Sequence, residues 1–517
     1  MQQRRRRAGV VIPLFSIRSP SQWGLGEIAD IPKFADWASQ AGFSVLQLLP
    51  VNEVSGIDAS PYAALSAFAL DPVYLSLEGC EDFVAAGGRE ALSAGARDKL
   101  ASLASAPLVD WTAARALKSE GIALAFERFL RDEWSKDTGR ARQLTAFIKA
   151  NRHWLDDYAL FSVWHAQFGK GWFDWPSGPR DRNPHALDEA RREQHDAILR
   201  TKWAQWQLDL QWRSARRGAS AFGVELMGDL PFVVGIDSAD VWSNRGLFRI
   251  DQHVGTPPDE SSETGQDWGL PVYDWEAFKD DDFSWIKARA MRAGQLYSIY
   301  RVDHALGFYR TYFRSTDGKQ SGFTPADERG QMALGERIMR IMSRWGEVVA
   351  EDLGAVPPFL RPSLDKVGVP GYRVLRWEEE EERFRDPASW PAHSVATNAT
   401  HDTETTADWY DALSAEEREK LKRVPGLGDL DIAAPFSQTT ADLILRLLYR
   451  SPSTLALTLF QDALGGRERI NTPGTVGGEN WRFRAKKTAE ELLADRSTME
   501  RLAALARETG RAPAKRS

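Results

Sequence analysis

Eight short runs of apolar and β-branched residues punctuate the chain, at positions 10–17, 45–49, 224–226, 299–302, 348–350, 372–375, 394–396 and 455–460. Turn-forming or charged residues close most of them, the pattern of a buried strand. Longer stretches with helical periodicity separate most of these runs, for example 31–40, 283–296, 336–345 and 441–449. Alternation of this kind predicts a parallel α/β architecture. Eight strands in series predict a (β/α)8 TIM barrel with helical and loop insertions. A barrel carrying insertions uses several hundred residues as one unit, so residues 1–517 read as a single catalytic barrel. Two intervals break the alternation. Residues 80–200 lack strand signals and are rich in Ala, Arg and Trp, which predicts a helical insertion subdomain between the second and third strands. Residues 249–275 contain GTPPDESSETGQDWGLP, dense in turn formers, and read as an active-site loop insertion.

Three acidic motifs follow strand-like runs: RVDHALGF with Asp303, VVAEDLG with Glu351 and NATHDTETT with Asp402. The C-terminal ends of parallel barrel strands share one face, so three carboxylates from distant parts of the chain converge there. Retaining glycosyl transfer needs a carboxylate nucleophile and a carboxylic acid about 5 Å apart. Asp303 and Glu351 are separated by about one strand–helix unit, which allows neighbouring strands. Arg301, two residues before Asp303 on the same strand face, is placed to favour an ionised nucleophile.

Composition narrows the partner. A formal net charge of −7 and a pI near 5.8 leave no basic footprint for nucleic acid and suit a neutral substrate. Positions 4–7 read as a solvated basic tail. The brief apolar stretch at 10–15, broken by Pro13, is a poor secretory signal, and no long apolar run follows, so the expectation is a cytoplasmic chain with no membrane partner. The only cysteine, Cys80, excludes an intramolecular disulfide and points to a reducing compartment. No His or Cys cluster has metal-ligand spacing, and phosphate-loop, HExxH and GxSxG motifs are absent, so neither a metal nor another cofactor is expected. Tryptophan is abundant, at 20 residues. Most, such as Trp203, Trp206 and Trp212 at helical spacings, are expected to pack the interior, while a few offer flat faces to sugar rings.

At this level of detail the chain resembles the 4-α-glucanotransferases known as amylomaltases or disproportionating enzymes, relatives of the α-amylases. The likeness runs nearly end to end, through PLFSIRSPSQWGLGEIADIPKFADWA, SPYAALSAFALDPVYLSLE, MGDLPFVVGIDSADVWSNRGLF, GQDWGLPVYDW, the three acidic motifs, QDALG and INTPGTVGGENWRFR. The resemblance implies a (β/α)8 barrel without a separate C-terminal β-sandwich. It also implies transfer of α-1,4-glucan segments between maltooligosaccharides through a covalent glycosyl-enzyme. Asp303 matches the family's nucleophile, Glu351 the acid/base, and Asp402 the third carboxylate that binds sugar hydroxyls. Tyr62, Asp229, Gln266, Trp268, Arg301, His304 and His401 match or adjoin substrate-binding positions. Asn480 and Trp481 match as well. Some positions depart from the family pattern: Glu260-Ser261 stands where an aromatic pair is usual, Ala305-Leu306 replaces Phe-Arg, and Thr403 replaces Asn. The expected partner is a maltooligosaccharide, with the chain acting as a monomer or weak homo-oligomer. Two alternatives remain: hydrolysis, which shares every catalytic group with transfer and differs in whether water or a sugar hydroxyl attacks the intermediate, and a carbohydrate-binding protein without catalysis, against which the presence of all three carboxylates speaks.

Overall fold

The computed structural model describes residues 5–54, 60–258 and 265–513. Twelve strands are found among them: β1 (Arg7–Val11), β2 (Val45–Gln47), β3 (Glu225–Leu230), β4 (Phe248–Thr256), β5 (Gln266–Tyr273), β6 (Ile299–Val302), β7 (Thr311–Ser315), β8 (Ser321–Thr324), β9 (Glu347–Ala350), β10 (Gly371–Val374), β11 (Ser394–Thr397) and β12 (Leu455–Leu459). Eight of them close a parallel barrel in the order β1-β12-β11-β10-β9-β6-β3-β2. These eight are the runs read from the sequence, and their side chains are almost all buried, as a sheet covered by helices requires. The helix Ile31–Gln40 falls where periodicity places it, with Phe34, Ala35, Trp37 and Ala38 turned inward.

The first strand is corrected in position. It spans Arg7–Val11 rather than 10–17, because Pro13 offers no amide to the ladder and the chain turns at Leu14–Ser16. The earlier start draws in arginines that read as a solvated tail. Arg7 pairs with Leu455 in the ladder, and its guanidinium crosses the barrel floor to Glu225 (2.9 Å) and Glu347 (2.6 Å). Arg6 donates to the carbonyls of Ser451 (3.0 Å) and Thr509 (2.6 Å). Arg4 lies outside the described residues.

From Glu81 onward the chain between β2 and β3 is largely helical, including Trp111–Phe129, Gly139–Phe168 and His195–Ala221. Trp203, Trp206 and Trp212 are buried there, the first two against Phe129 and the third against Tyr297. The region 249–275, read as a loop, is instead mostly strand. β4 and β5 pair antiparallel, with register shifts between Arg249 and His253 and between Val254 and Gly255, and join β7 and β8 in a sheet ordered β5-β4-β7-β8. In sequence the turn formers fall between the two strands, and the bulged strands themselves carry too little alternation to be read as strands. Glu260 and Ser261 lie outside the described residues. Among the described residues no helix is long and apolar enough to cross a membrane.

Gly228 in β3 shows how closely helices and barrel fit. A Cβ there would lie 2.3 Å from the Tyr297 ring, so only glycine lets the ring reach the strand. Gly228→Ala is expected to destabilise the fold by about 1–3 kcal/mol, as overpacking does. Chemical denaturation of the two proteins, compared at equal slope, measures it.

Candidate active site

The parallel register builds the site. Asp229 on β3 is the ladder partner of Arg301 on β6, and Val302 on β6 is the partner of Ala350 on β9. Asp303 and Glu351 therefore stand one residue beyond the last paired position on neighbouring strands, about one interstrand spacing of 5 Å apart along the backbone. Two backbone bonds hold this layout: Asp303 N donates to Leu230 O and Glu351 N to Val302 O, both at 3.0 Å.

Arg301 lies at the centre. Its Nη1 contacts Asp229 Oδ1 at 2.7 Å and Asp303 Oδ1 at 2.9 Å, and its Nη2 lies 3.9 Å from Glu351 Oε2. The side chain is 8% exposed. His304 adopts a left-handed backbone, φ 42°, and its amide donates to Glu351 Oε2 at 2.7 Å. That conformation is uncommon for a side chain with a Cβ, and here it serves to aim an amide at a carboxylate. The His304 ring packs edge-on against Phe232 (5.5 Å) and Trp268 (4.9 Å).

A second group completes the cleft. Tyr62 donates from its hydroxyl to Asp229 Oδ2 at 2.8 Å, and its ring stacks on His401, with centroids 5.3 Å apart and planes at 14°. His401 Nε2 meets Asp402 Oδ2 at 3.1 Å. Trp268 Nε1 donates to Gln266 Oε1 at 3.0 Å, which brings β5 to the same site through His304. The three carboxylates and the seven accompanying residues expected from the sequence are thus linked by direct contacts into one constellation.

Other participants were not legible. Asn471 Nδ2 donates to Asp402 Oδ1 at 2.7 Å, and Arg469 holds the Asp402 carbonyl at 3.0 Å. The signal for Asn471 lay in INTPGTVGGENWRFR, of which only Asn480 and Trp481 stood out; Arg469 stands just before that motif. Asn480 braces its own turn, accepting from Thr472 N and donating to Thr475 Oγ1. Trp481, at φ 59°, packs its ring within about 6 Å of both Tyr62 and His401.

Environment sorts the titratable groups. Burial pushes Glu351 up to about 7, with Arg301 opposing and Asp303 adding to the rise. Burial pulls the His304 ring down to about 4. Burial acts against the ionised forms of His401 and Asp402 too, but their mutual contact outweighs it, raising His401 and holding Asp402 well below the usual carboxylate range. Asp229 is raised, chiefly by burial. A carboxyl that keeps its proton near neutrality suits a general acid. Among the described residues no three His, Cys, Asp or Glu side chains gather in a metal-binding arrangement.

Comparison with known proteins identifies the family and the fold. A family model described as 4-alpha-glucanotransferase matches residues 12–489. A 4-alpha-glucanotransferase of Chlamydia pneumoniae is 31% identical over 504 residues, covering 94% of this chain and 92% of that protein. One of Thermus thermophilus is 31% identical over 490 residues, covering 90% and 92%. The solved structure of an amylomaltase from Streptococcus agalactiae in complex with acarbose has the same fold, with a TM-score of 0.82 at 24% identity over 98% of this chain and all of that one.

Glu351 also couples stability to pH. Its folded value near 7 lies above the unfolded value of about 4.3, so its contribution to stability is full below about pH 4.3 and is lost as pH rises through 7. Glu351→Gln removes that loss. Thermal unfolding is expected to show the variant melting above the parent at about pH 8, with the gap shrinking toward about pH 5.

Proposed function

Because the chain belongs to the 4-alpha-glucanotransferase family, we propose that Asp303, Glu351 and Asp402 divide the work of moving α-1,4-glucan segments between maltooligosaccharides by retaining double displacement. The observation that carries this reading is the buried guanidinium of Arg301, 2.9 Å from Asp303 and 3.9 Å from Glu351.

In the first step an Asp303 oxygen attacks the anomeric carbon of a donor glucose. The bond to the leaving 4-oxygen breaks as Glu351 gives that oxygen its proton. The elevated proton affinity of Glu351 suits this task. In the second step the 4-hydroxyl of an acceptor chain loses its proton to Glu351 and attacks the same carbon, which releases Asp303 and restores the configuration. Asp402, kept ionised by His401 and gripped by Asn471, accepts hydrogen bonds from sugar hydroxyls as the ring flattens. Tyr62 and Trp268 offer aromatic faces to sugar rings, with His304, His401, Gln266 and Asp229 lining the same cleft. No metal or other cofactor has a part in this scheme. The whole chain works as one barrel unit in the cytoplasm, as a monomer or weak homo-oligomer, with residues 80–200 as a helical subdomain against its side.

Incubation with maltotriose tests the reading. Chromatography over time is expected to give glucose together with chains longer than the substrate. Accumulation of glucose and maltose alone would show that water, not a sugar hydroxyl, takes the glycosyl group.

A further inference from the structure

The seam between β9 and β10 is the thinnest in the barrel. One residue pair, Ala350 with Gly371, forms its register, whereas β9 shares four pairs with β6 and β10 shares four with β11. Beyond Ala350 the two strands part, at the residue that carries the Glu351 carboxyl. The gap is bridged by a side chain. Asp352 Oδ1 accepts from Tyr372 N at 2.6 Å, a donor that a further ladder rung would otherwise take up. Its other oxygen accepts from Arg361 Nε at 3.0 Å and lies 3.5 Å from Arg373 Nη1. The residue is 1% exposed. Gly371 makes room for it, since a Cβ there would lie 2.5 Å from all three carboxyl atoms.

Neighbouring residues on an extended chain point to opposite faces. Glu351 turns toward His304 N and Arg301, and Asp352 turns away from them, against β10 and the helix Leu360–Val367. We propose that Asp352 is the positioning residue of the acid/base, a side-chain rung that closes the β9–β10 seam and thereby fixes Glu351 against His304 and the nucleophile. This rests on Glu351 being the acid/base.

The charges around the pair set the direction of the effect. From β6, Arg301 and Asp303 face Glu351, with Asp229 behind Arg301. Asp352 stands beside it and acts to raise its proton affinity. From the flanking helix and β10 come Arg361 and Arg373, with Glu378 near Arg361 and Asp365 within electrostatic reach of Arg373. Asp352→Asn keeps an acceptor for Tyr372 N and the same volume. It removes one negative charge near Glu351 and weakens the compensation of the Arg361 and Arg373 guanidinium groups, so Glu351 holds its proton less tightly. Arg361→Gln does the reverse, and its side chain is 40% exposed, so the change is tolerable.

The test is the pH dependence of kcat/KM on maltotriose and on α-maltotriosyl fluoride, whose leaving group needs no proton. In Asp352→Asn the alkaline limb on maltotriose is expected to move toward acid by about half a pH unit or more. Activity on maltotriose above neutrality falls about threefold or more, and activity on the fluoride falls much less. In Arg361→Gln the limb moves the other way, a readout that survives if Asp352→Asn fails to fold. Equal losses on both substrates with unmoved limbs overturn the proposal and leave Asp352 a merely structural residue. An alkaline limb that persists in Glu351→Gln instead overturns the acid/base assignment, and the proposal with it.

Discussion

Arg301 cannot shed its charge, and it is buried. A guanidinium in that position is tolerable only when carboxylates surround it, because an unpaired buried charge costs several kcal/mol. Asp229 and Asp303 meet it directly and Glu351 lies just beyond contact distance. The requirement is met by barrel geometry. Neighbouring parallel strands present equivalent positions side by side, so residues far apart in sequence converge around one cation. Site and fold are therefore held by the same interactions. Removing Arg301 would leave a cluster of like charges that could not all remain ionised.

A second constraint acts on orientation. Tyr62 is tied to Asp229 through its hydroxyl and to His401 through its ring, and His401 is tied in turn to Asp402. The segment after β2, the end of β3 and the loop after β11 are thus fixed to one another before any sugar arrives. Asn471 and Arg469 extend the same chain of contacts to the loop after β12. Preorganisation of this kind spares the enzyme the cost of ordering its groups during reaction.

Much of this was legible in the sequence, and the reasons differ by residue. Barrel strands announce themselves because both faces are buried, which leaves continuous apolar runs ending at charged residues such as Asp303 and Glu351. The β4–β5 hairpin did not, since the glycines, prolines and serines between its two strands in sequence dominate the local composition. Arg7 read as tail because a basic residue near a terminus is usually solvated, and nothing local reveals Glu225 and Glu347 on distant strands. Asn471 and Asp352 were missed for a related reason. An amide in a glycine-rich loop, or a second acid beside a catalytic one, is ordinary until the fold shows what it touches.

The central claim is that Asp303 bears the sugar while Glu351 moves the proton. Mass spectrometry of the Glu351→Gln enzyme after reaction with an activated α-maltosyl donor tests it most directly, because such a donor supports the first step while the second stalls for want of a base. The account predicts a glycosyl adduct on the Asp303 carboxylate. An adduct on any other residue, with Asp303 unmodified, would contradict it.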